Sequence, residues 1–360
     1  MRIGIAGAGL LGRLLAFRLA RAGHEVHVFD PAAQAEARGA AGWTAAGMLS
    51  PVSELECADE DVFRMGVRSL ALWPRWLAEL GEPVEFRREG SLLLAHRGDE
   101  GAARRVVDLL AEKVGALDSR LRGNDGGAPE SRRGGMEGGW RPRRVAPADR
   151  RAGAPGGRGP AHAWLIPHEG QIHSVQGMQA LVAGAPGVQW HWGRRVDELH
   201  PGVLRGAGGD QRFDHVFDAR GTGARPQLPV RGVRGEIFWL HAPGLELHRP
   251  LRLLHPRYRV YLVPRVGDIV VAGASEIESE DRSPVSVRST VELLAAAHSV
   301  LPELAEARIV HSEANLRPAL PDNLPLLQSQ PGLTRINGLF RHGWLIAPAL
   351  VERALAAMTK

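Results

Sequence analysis

From Arg2 to Ala6, Ile3 and Ile5 sit in a short apolar run that meets GAGLLG, Gly7 to Gly12, the pattern of a buried strand turning into a helix. Leu11, Leu14, Leu15 and Leu19 then recur at helical spacing, Gly23 supplies a stop, and Glu25 to Asp30 alternates like a strand. The three segments form one strand–helix–strand unit. A second helix is predicted near 63–80, with Trp73 and Trp76 as packing residues. Runs rich in β-branched and aromatic residues at 84–95, 233–241, 258–264 and 268–274 predict an antiparallel sheet. A helix near 174–183, a strand near 188–192 and an apolar strand at 213–219 running into Gly221-Thr222-Gly223 read as further pieces of the first unit.

The predicted fold class is α/β and α+β: a discontinuous Rossmann-like domain (1–83, 168–228 and 312–360) and an antiparallel-sheet domain (84–167 and 229–311). Residues 118–139 hold seven glycines in 22 positions and almost no large apolar side chain. Such a segment cannot bury enough surface to offset its ordering, so a disordered insertion is expected there, continuing with proline-rich sequence to about 160.

The 360 residues, 44% hydrophobic and 24% charged, suffice for one large or two interleaved domains, and they exclude a disordered or collagen-like chain despite 44 glycines and 25 prolines. The net charge of +5 invites a nucleic-acid reading, but Asp118 to Arg158 carries ten arginines against five acids and so accounts for all of it. That basicity belongs to one Gly/Pro-rich segment, and no nucleic-acid partner is expected. Cys57 is the single cysteine, which rules out an intramolecular disulfide or a thiolate metal site; no metal is expected, and a reducing, cytoplasmic setting is the simplest. No uninterrupted apolar run approaches about 18 residues, so no membrane span is expected. Arg2 and Ala20-Arg21-Ala22 imitate an export signal, but Arg13 and Arg18 interrupt the apolar run.

In GAGLLG, Gly7 permits the turn out of the strand, Gly9 lets the backbone approach a pyrophosphate, and Gly12 allows close helix packing. The helix that starts there, around Leu11, turns free amides and its positive dipole end toward an anion. Asp30, 18 residues after Gly12, is placed to accept ribose hydroxyls, which favours NAD or FAD over NADP without choosing between them.

Further motifs carry a resemblance. They are WTAAGMLSP (43–51), GSLLLA (90–95), PHEGQIHS (167–174), FDARGTGARP (217–226), RGVRGE (231–236), LLHPRYRVYLVPR (253–265), GASEIESED (273–281), LRPALPDNLP (316–325) and NGLFRHGWLIAP (337–348). In this order, together with GAGLLG and Asp30, the chain resembles the FAD-dependent D-amino-acid-oxidase-like flavoproteins, and among them the glycine oxidases of thiamine biosynthesis. The resemblance implies noncovalent FAD lying along Gly7, Gly9, Leu11, Gly12, Asp30 and the loop Ala45, Ala46, Gly47 and Met48. Val196 then stands at the adenine, Gly221 at a close approach of the chain to the cofactor, and Arg341, His342, Gly343, Trp344 and Leu345 beside the ring.

It also implies a small amino-acid substrate and oxygen as partners. Arg317 would grip the substrate carboxylate, Tyr261 would donate a hydrogen bond to it, with Tyr258 as a competitor, and Arg341 would orient the amine. No dedicated base is implied, because hydride loss from a neutral amine needs positioning rather than proton abstraction. Phe340 and Trp344 would either narrow the pocket or pack. Residues 349–358 read as a helix with Pro348 at its first turn. Oligomeric state stays open, although members of such a family often form homotetramers. Two alternatives stand beside this reading: an NAD-dependent amine or imino-acid dehydrogenase, and a non-catalytic cofactor-binding paralogue.

Overall fold

The structure is a computed structural model that describes residues 1–123, 139–145, 159–255 and 259–358. A six-stranded sheet has the order β19 (Leu326–Gln330), β20 (Leu333–Asn337), β13 (His215–Asp218), β1 (Arg2–Ala6), β2 (Glu25–Asp30), β9 (Gln189–Trp192). All its pairs are parallel except the β19–β20 hairpin. β1 lies between β2 on one side and β13 on the other, so connections leave it in opposite directions and a crevice opens beyond its carboxyl end. Helices α1 (Leu10–Arg21), α4 (Glu60–Leu80), α6 (Ser174–Ala183) and α8 (Gly343–Met358) bring Leu14, Phe63, Trp73, Met178 and Ile346 into one core with Ile3 and Ile5. The alternating apolar positions of β1 are therefore buried on both faces, as a central parallel strand requires.

The second layer is an eight-stranded sheet, β18 (Arg308–Ala319), β14 (Arg231–His241), β17 (Ile269–Gly273), β16 (Tyr261–Arg265), β15 (Leu251–Leu253), β5 (Ser91–Ala95), β7 (His162–Ile166), β6 (Arg143–Val145). It is antiparallel apart from the β15–β5 pair. Period-two alternation splits its side chains. Leu262, Val270 and Ala272 face the core under helix α7 (Val287–Val300), whereas Tyr261, Val263 and Val271 face Ala46 and Met48. Two three-stranded sheets complete the strands: β10 (Val196–His200), β11 (Val203–Gly206) and β12 (Gly209–Arg212), and β3 (Met48–Leu49), β8 (Gly170–Ile172) and β4 (Phe86–Arg87). The remaining helices are α2 (Ala41–Thr44), α3 (Pro51–Glu54) and α5 (Glu100–Gly123). Among the described residues no helix is long and apolar enough to cross a membrane.

Four expectations change. The disordered insertion does not begin at Asp118, because α5 continues to Gly123; Ser119 to Arg122 contains neither glycine nor proline, and extending an existing helix is inexpensive. Nor does it run unbroken to 160: Trp140 is buried against Phe63, and β6 pairs with β7. The remainder of that expectation, 124–138 and 146–158, lies outside the described residues, as does Tyr258. The predicted strand 84–95 is two strands, divided where Gly90 takes a φ of 82°. β18 crosses the expected domain boundary at 311/312 and belongs wholly to the eight-stranded sheet. Finally, α8 starts at Gly343 rather than Ala349. Pro348 sits inside it and leaves the Trp344 carbonyl without its helical donor, and Trp73 Nε1 donates to that carbonyl at 3.0 Å instead.

Candidate active site

A single cleft of about 1360 Å³ runs from the nucleotide loop to the eight-stranded sheet. That exceeds the usual small-molecule range of about 300–1,000 Å³, so there is room for an extended ligand together with a second one.

The loop after β1 forms the first end. Gly7 has a φ of 100°, and a Cβ there would lie 2.4 Å from the Ala219 carbonyl oxygen. A Cβ on Gly12 would lie 1.8 Å from the Gly7 carbonyl oxygen, so Gly12 packs helix to strand and does not itself line the cleft. Gly9 does line it, and a Cβ there would meet only Ala40 at 3.7 Å. Gly9 is also the N-cap of α1, with no side-chain cap and no acid in the first turn. Its free amides and Leu11 face the cleft, a site suited to a phosphate. Asp30 Oδ2 accepts from Ala8 N at 2.6 Å and Oδ1 from Ala32 N at 2.8 Å, which fixes the carboxylate at the rim and leaves lone pairs for hydroxyl donors.

The loop Ala45 to Met48 forms one wall. Gly47 has a φ of 69°, and a Cβ would clash with the Ile172 carbonyl oxygen at 2.0 Å. The Arg265 guanidinium, on β16, donates to the carbonyls of Ala46 and of Ile172, the latter at 3.0 Å, and burial lowers its pKa to about 10. Val196 and Gly221, the latter with a φ of 56°, line the opposite side near Asp30 and the nucleotide loop. α8 begins directly after Arg341-His342 and close to Leu10 of α1, so Gly343, Trp344 and Leu345 present the amide end of a second helix. The Trp344 ring turns away toward Trp73 and into the space that Gly177 leaves, so it packs and does not narrow the cleft.

The substrate end contains Tyr261, Arg317 and Arg341. Arg317 stands opposite Val233, and its guanidinium occupies the space that Gly235 leaves. One hydrogen bond reaches the Arg234 carbonyl at 3.3 Å, and among the described residues no carboxylate lies within ion-pair distance. Burial lowers its pKa from the usual arginine value, opposed by Tyr261 and Glu276. Burial raises the Tyr261 phenol above 10, so its hydroxyl stays a neutral donor. Arg341 is different. Its Nε donates to Glu54 Oε2 at 2.9 Å and its Nη1 to Glu276 Oε2 at 3.4 Å. Burial opposes its charge, but Glu54 and Glu276 outweigh that and its pKa rises. His342 Nδ1 lies 3.3 Å from the same Glu54 oxygen, and burial lowers the imidazole pKa.

All the expected site residues except Gly12 therefore share one cleft. Glu54, Glu276, Asn315, Arg13 and Arg265 were not foreseen. Asn315 Nδ2 ties β18 to the Arg38 and Ala40 carbonyls and to Thr44. The buried Arg13 guanidinium donates to the carbonyls of Ala8, Ala35 and Met178. These groups act across long stretches of chain, and the only local sign is that Glu54 closely follows the Ala45–Met48 loop.

The chain is 35% identical to a Rhizobium etli protein assigned provisionally as the thiamine biosynthesis oxidoreductase ThiO, over 97% of this chain and 94% of that one. It is 27% identical to a glycine oxidase of Geobacillus kaustophilus, over 96% and 89% respectively. The crystal structure of glycine oxidase from Geobacillus kaustophilus superposes with a TM-score of 0.80 at 25% identity, covering 99% of this chain and 95% of that one. Residues 2–357 match the FAD-dependent oxidoreductase family DAO. The cradle left FAD and NAD open, and that match decides for FAD: the chain belongs to the DAO family of FAD-dependent oxidoreductases.

Proposed function

We propose that this protein oxidises glycine or another small amino acid or amine to the imine, with oxygen as the final electron acceptor and hydrogen peroxide released, and that the imine serves thiazole formation in thiamine biosynthesis. The observation that carries the proposal is the Arg317 guanidinium, which faces the cleft beside the Tyr261 phenol without a carboxylate partner among the described residues. A substrate carboxylate supplies that missing anion through two parallel charge-assisted bonds. The relatives' names point to the same small zwitterion.

Bound FAD would supply the two-electron acceptor for a hydride from Cα. The chain positions the reaction. Arg317 and Tyr261 fix the carboxylate end, so Cα lies at a set depth in the cleft. Arg341, held in its charged form by Glu54 and Glu276, orients the amine through its backbone or guanidinium. The α1 amides would receive the pyrophosphate, and the amide end of α8 would stabilise negative charge on the reduced ring. His342 stays neutral under its burial and is not assigned as a base. FAD is noncovalently held in this reading: the single cysteine, Cys57, is exposed, and its Sγ accepts from Arg259 at 3.4 Å.

Anaerobic mixing of the purified yellow protein with glycine, sarcosine, D-alanine and proline tests this directly. Bleaching of the flavin by at least one of them, with colour and peroxide returning on admission of oxygen, is expected. A flavin that none of the four bleaches would remove the assignment.

A further inference from the structure

The substrate end is lined by the guanidiniums of Arg252, Arg259, Arg317 and Arg341 and by the carboxylates of Glu54 and Glu276, and they are unevenly arranged. Arg317 has no acid within ion-pair distance among the described residues, while Arg341 has both Glu54 and Glu276. One pole of the pocket therefore attracts a carboxylate, and at the other the Arg341 guanidinium is already engaged by two acids. Arg252 is held at 2.6 Å by Glu56, and Arg259 lies 3.8 Å from the same carboxylate, so with Arg341 these three cations and three acids balance and Glu276 acts through its position rather than through an excess of charge.

The two acids differ in how they are held. Glu54 bonds the Nε edge of Arg341, has His342 beside it, and ends α3, where Glu169 accepts from the neighbouring Ser53. Glu276 makes only its 3.4 Å contact, and 47% of its side chain is exposed. Its backbone, by contrast, is pinned on both sides. Ser275 Oγ accepts from Glu236 N at 3.0 Å, and Ile277 exchanges two backbone hydrogen bonds with Arg234. The result is a carboxylate of fixed origin and free outer face, aimed into the cleft.

We propose that Glu276 determines substrate specificity: with a substrate carboxylate on Arg317, Glu276 rejects a second anionic group and accepts an ammonium or N–H. The proposal rests on the reading of Arg317 as the carboxylate anchor. Discrimination of this kind arises from a like-charge contact built against the wrong ligand rather than from new attraction to the right one.

The test is equilibrium binding of two unreactive acids, acetate and malonate, to the FAD-loaded protein, read by calorimetry and by perturbation of the flavin spectrum. The measured quantity is the ratio of the malonate to the acetate dissociation constant. Glu276→Gln should lower that ratio about tenfold, and Glu276→Asp should retain most of the wild-type ratio. An unchanged ratio in Glu276→Gln overturns the proposal. Arg317→Met separates the two readings: loss of acetate binding supports the anchor whatever Glu276 does, whereas retained acetate binding overturns the anchor and the proposal together. Failure of acetate to bind the wild type overturns both.

Discussion

The Arg317 guanidinium lies where Gly235 has no side chain: a Cβ at 235 would stand 2.4 Å from Arg317 Cζ. Gly235 opposes Asn315 across the β14–β18 ladder, so the missing side chain on one strand makes the space for a cation two residues along the other. Gly235→Ala should displace the guanidinium while leaving the strand intact. The KM for a carboxylate substrate is expected to rise about tenfold, with FAD content unchanged. Titration of flavin and steady-state kinetics on the same preparation check this.

Arg317 and Arg341 should respond differently to the same replacement. Arg317→Met removes a charge whose partner is the incoming ligand, and kcat/KM should fall about 100-fold, mostly through KM. Arg341→Met removes the partner of Glu54 and Glu276 and leaves two carboxylates facing each other. That variant should also lose thermal stability. Equal stability of the two variants would contradict the division of roles described here.

Gly12→Ala should abolish flavin retention. A methyl group 1.8 Å from the Gly7 carbonyl oxygen has to push the helix away from the strand, and the α1 amides move with it. The absorbance ratio of the purified variant is the readout, and a protein as yellow as wild type would refute the close-packing role.

His173 gives a pH signature. Its Nδ1 accepts from Gln176 N at the start of α6, and burial, reinforced by Arg265 and Arg38, lowers its pKa to about 4. The unfolded chain takes up that proton near the usual 6.5. The stability contribution is therefore present above pH 6.5 and lost as pH falls toward 4. His173→Asn keeps an acceptor for the cap, and its melting temperature should fall less steeply than that of wild type across this interval.

Trp140→Ala should cost about 3 kcal/mol, because the indole is 3% exposed and meets the Phe63 ring edge-on. Chemical denaturation measures it; a cost near zero would mean that the segment around Trp140 contributes little to the core.

The parts of this architecture that the sequence reveals are those whose physics is local. Gly7, Gly9 and Gly12 each answer a backbone demand within a few residues, and the β1 and α1 periodicities report burial directly. Arg317 and Tyr261 were reached only through the resemblance, since an isolated arginine or strand tyrosine carries no mark of what it faces. Glu54 was invisible because its partner Arg341 lies 287 residues away. Glu276 looked like one acid in the run GASEIESED, and only the bridge of Ile277 to Arg234 after β17 separates it from its solvent-facing neighbours. The start of α8 was misplaced for a related reason. Pro348 is an ordinary helix-start signal until Trp73, on another helix, serves the carbonyl it leaves behind.

The order of the six-stranded sheet has a consequence for biosynthesis. β13, beside the nucleotide-binding strand, takes β20 as its outer neighbour, and helix α8, whose first residues line the cleft, follows β20 in sequence. A ribosome working at about 5–20 residues per second exposes the phosphate loop long before it delivers the strand and helix that complete the fold. Vitamin capture is thus a step that follows synthesis of β20 and α8, and a polypeptide cut before Leu333 yields colourless protein.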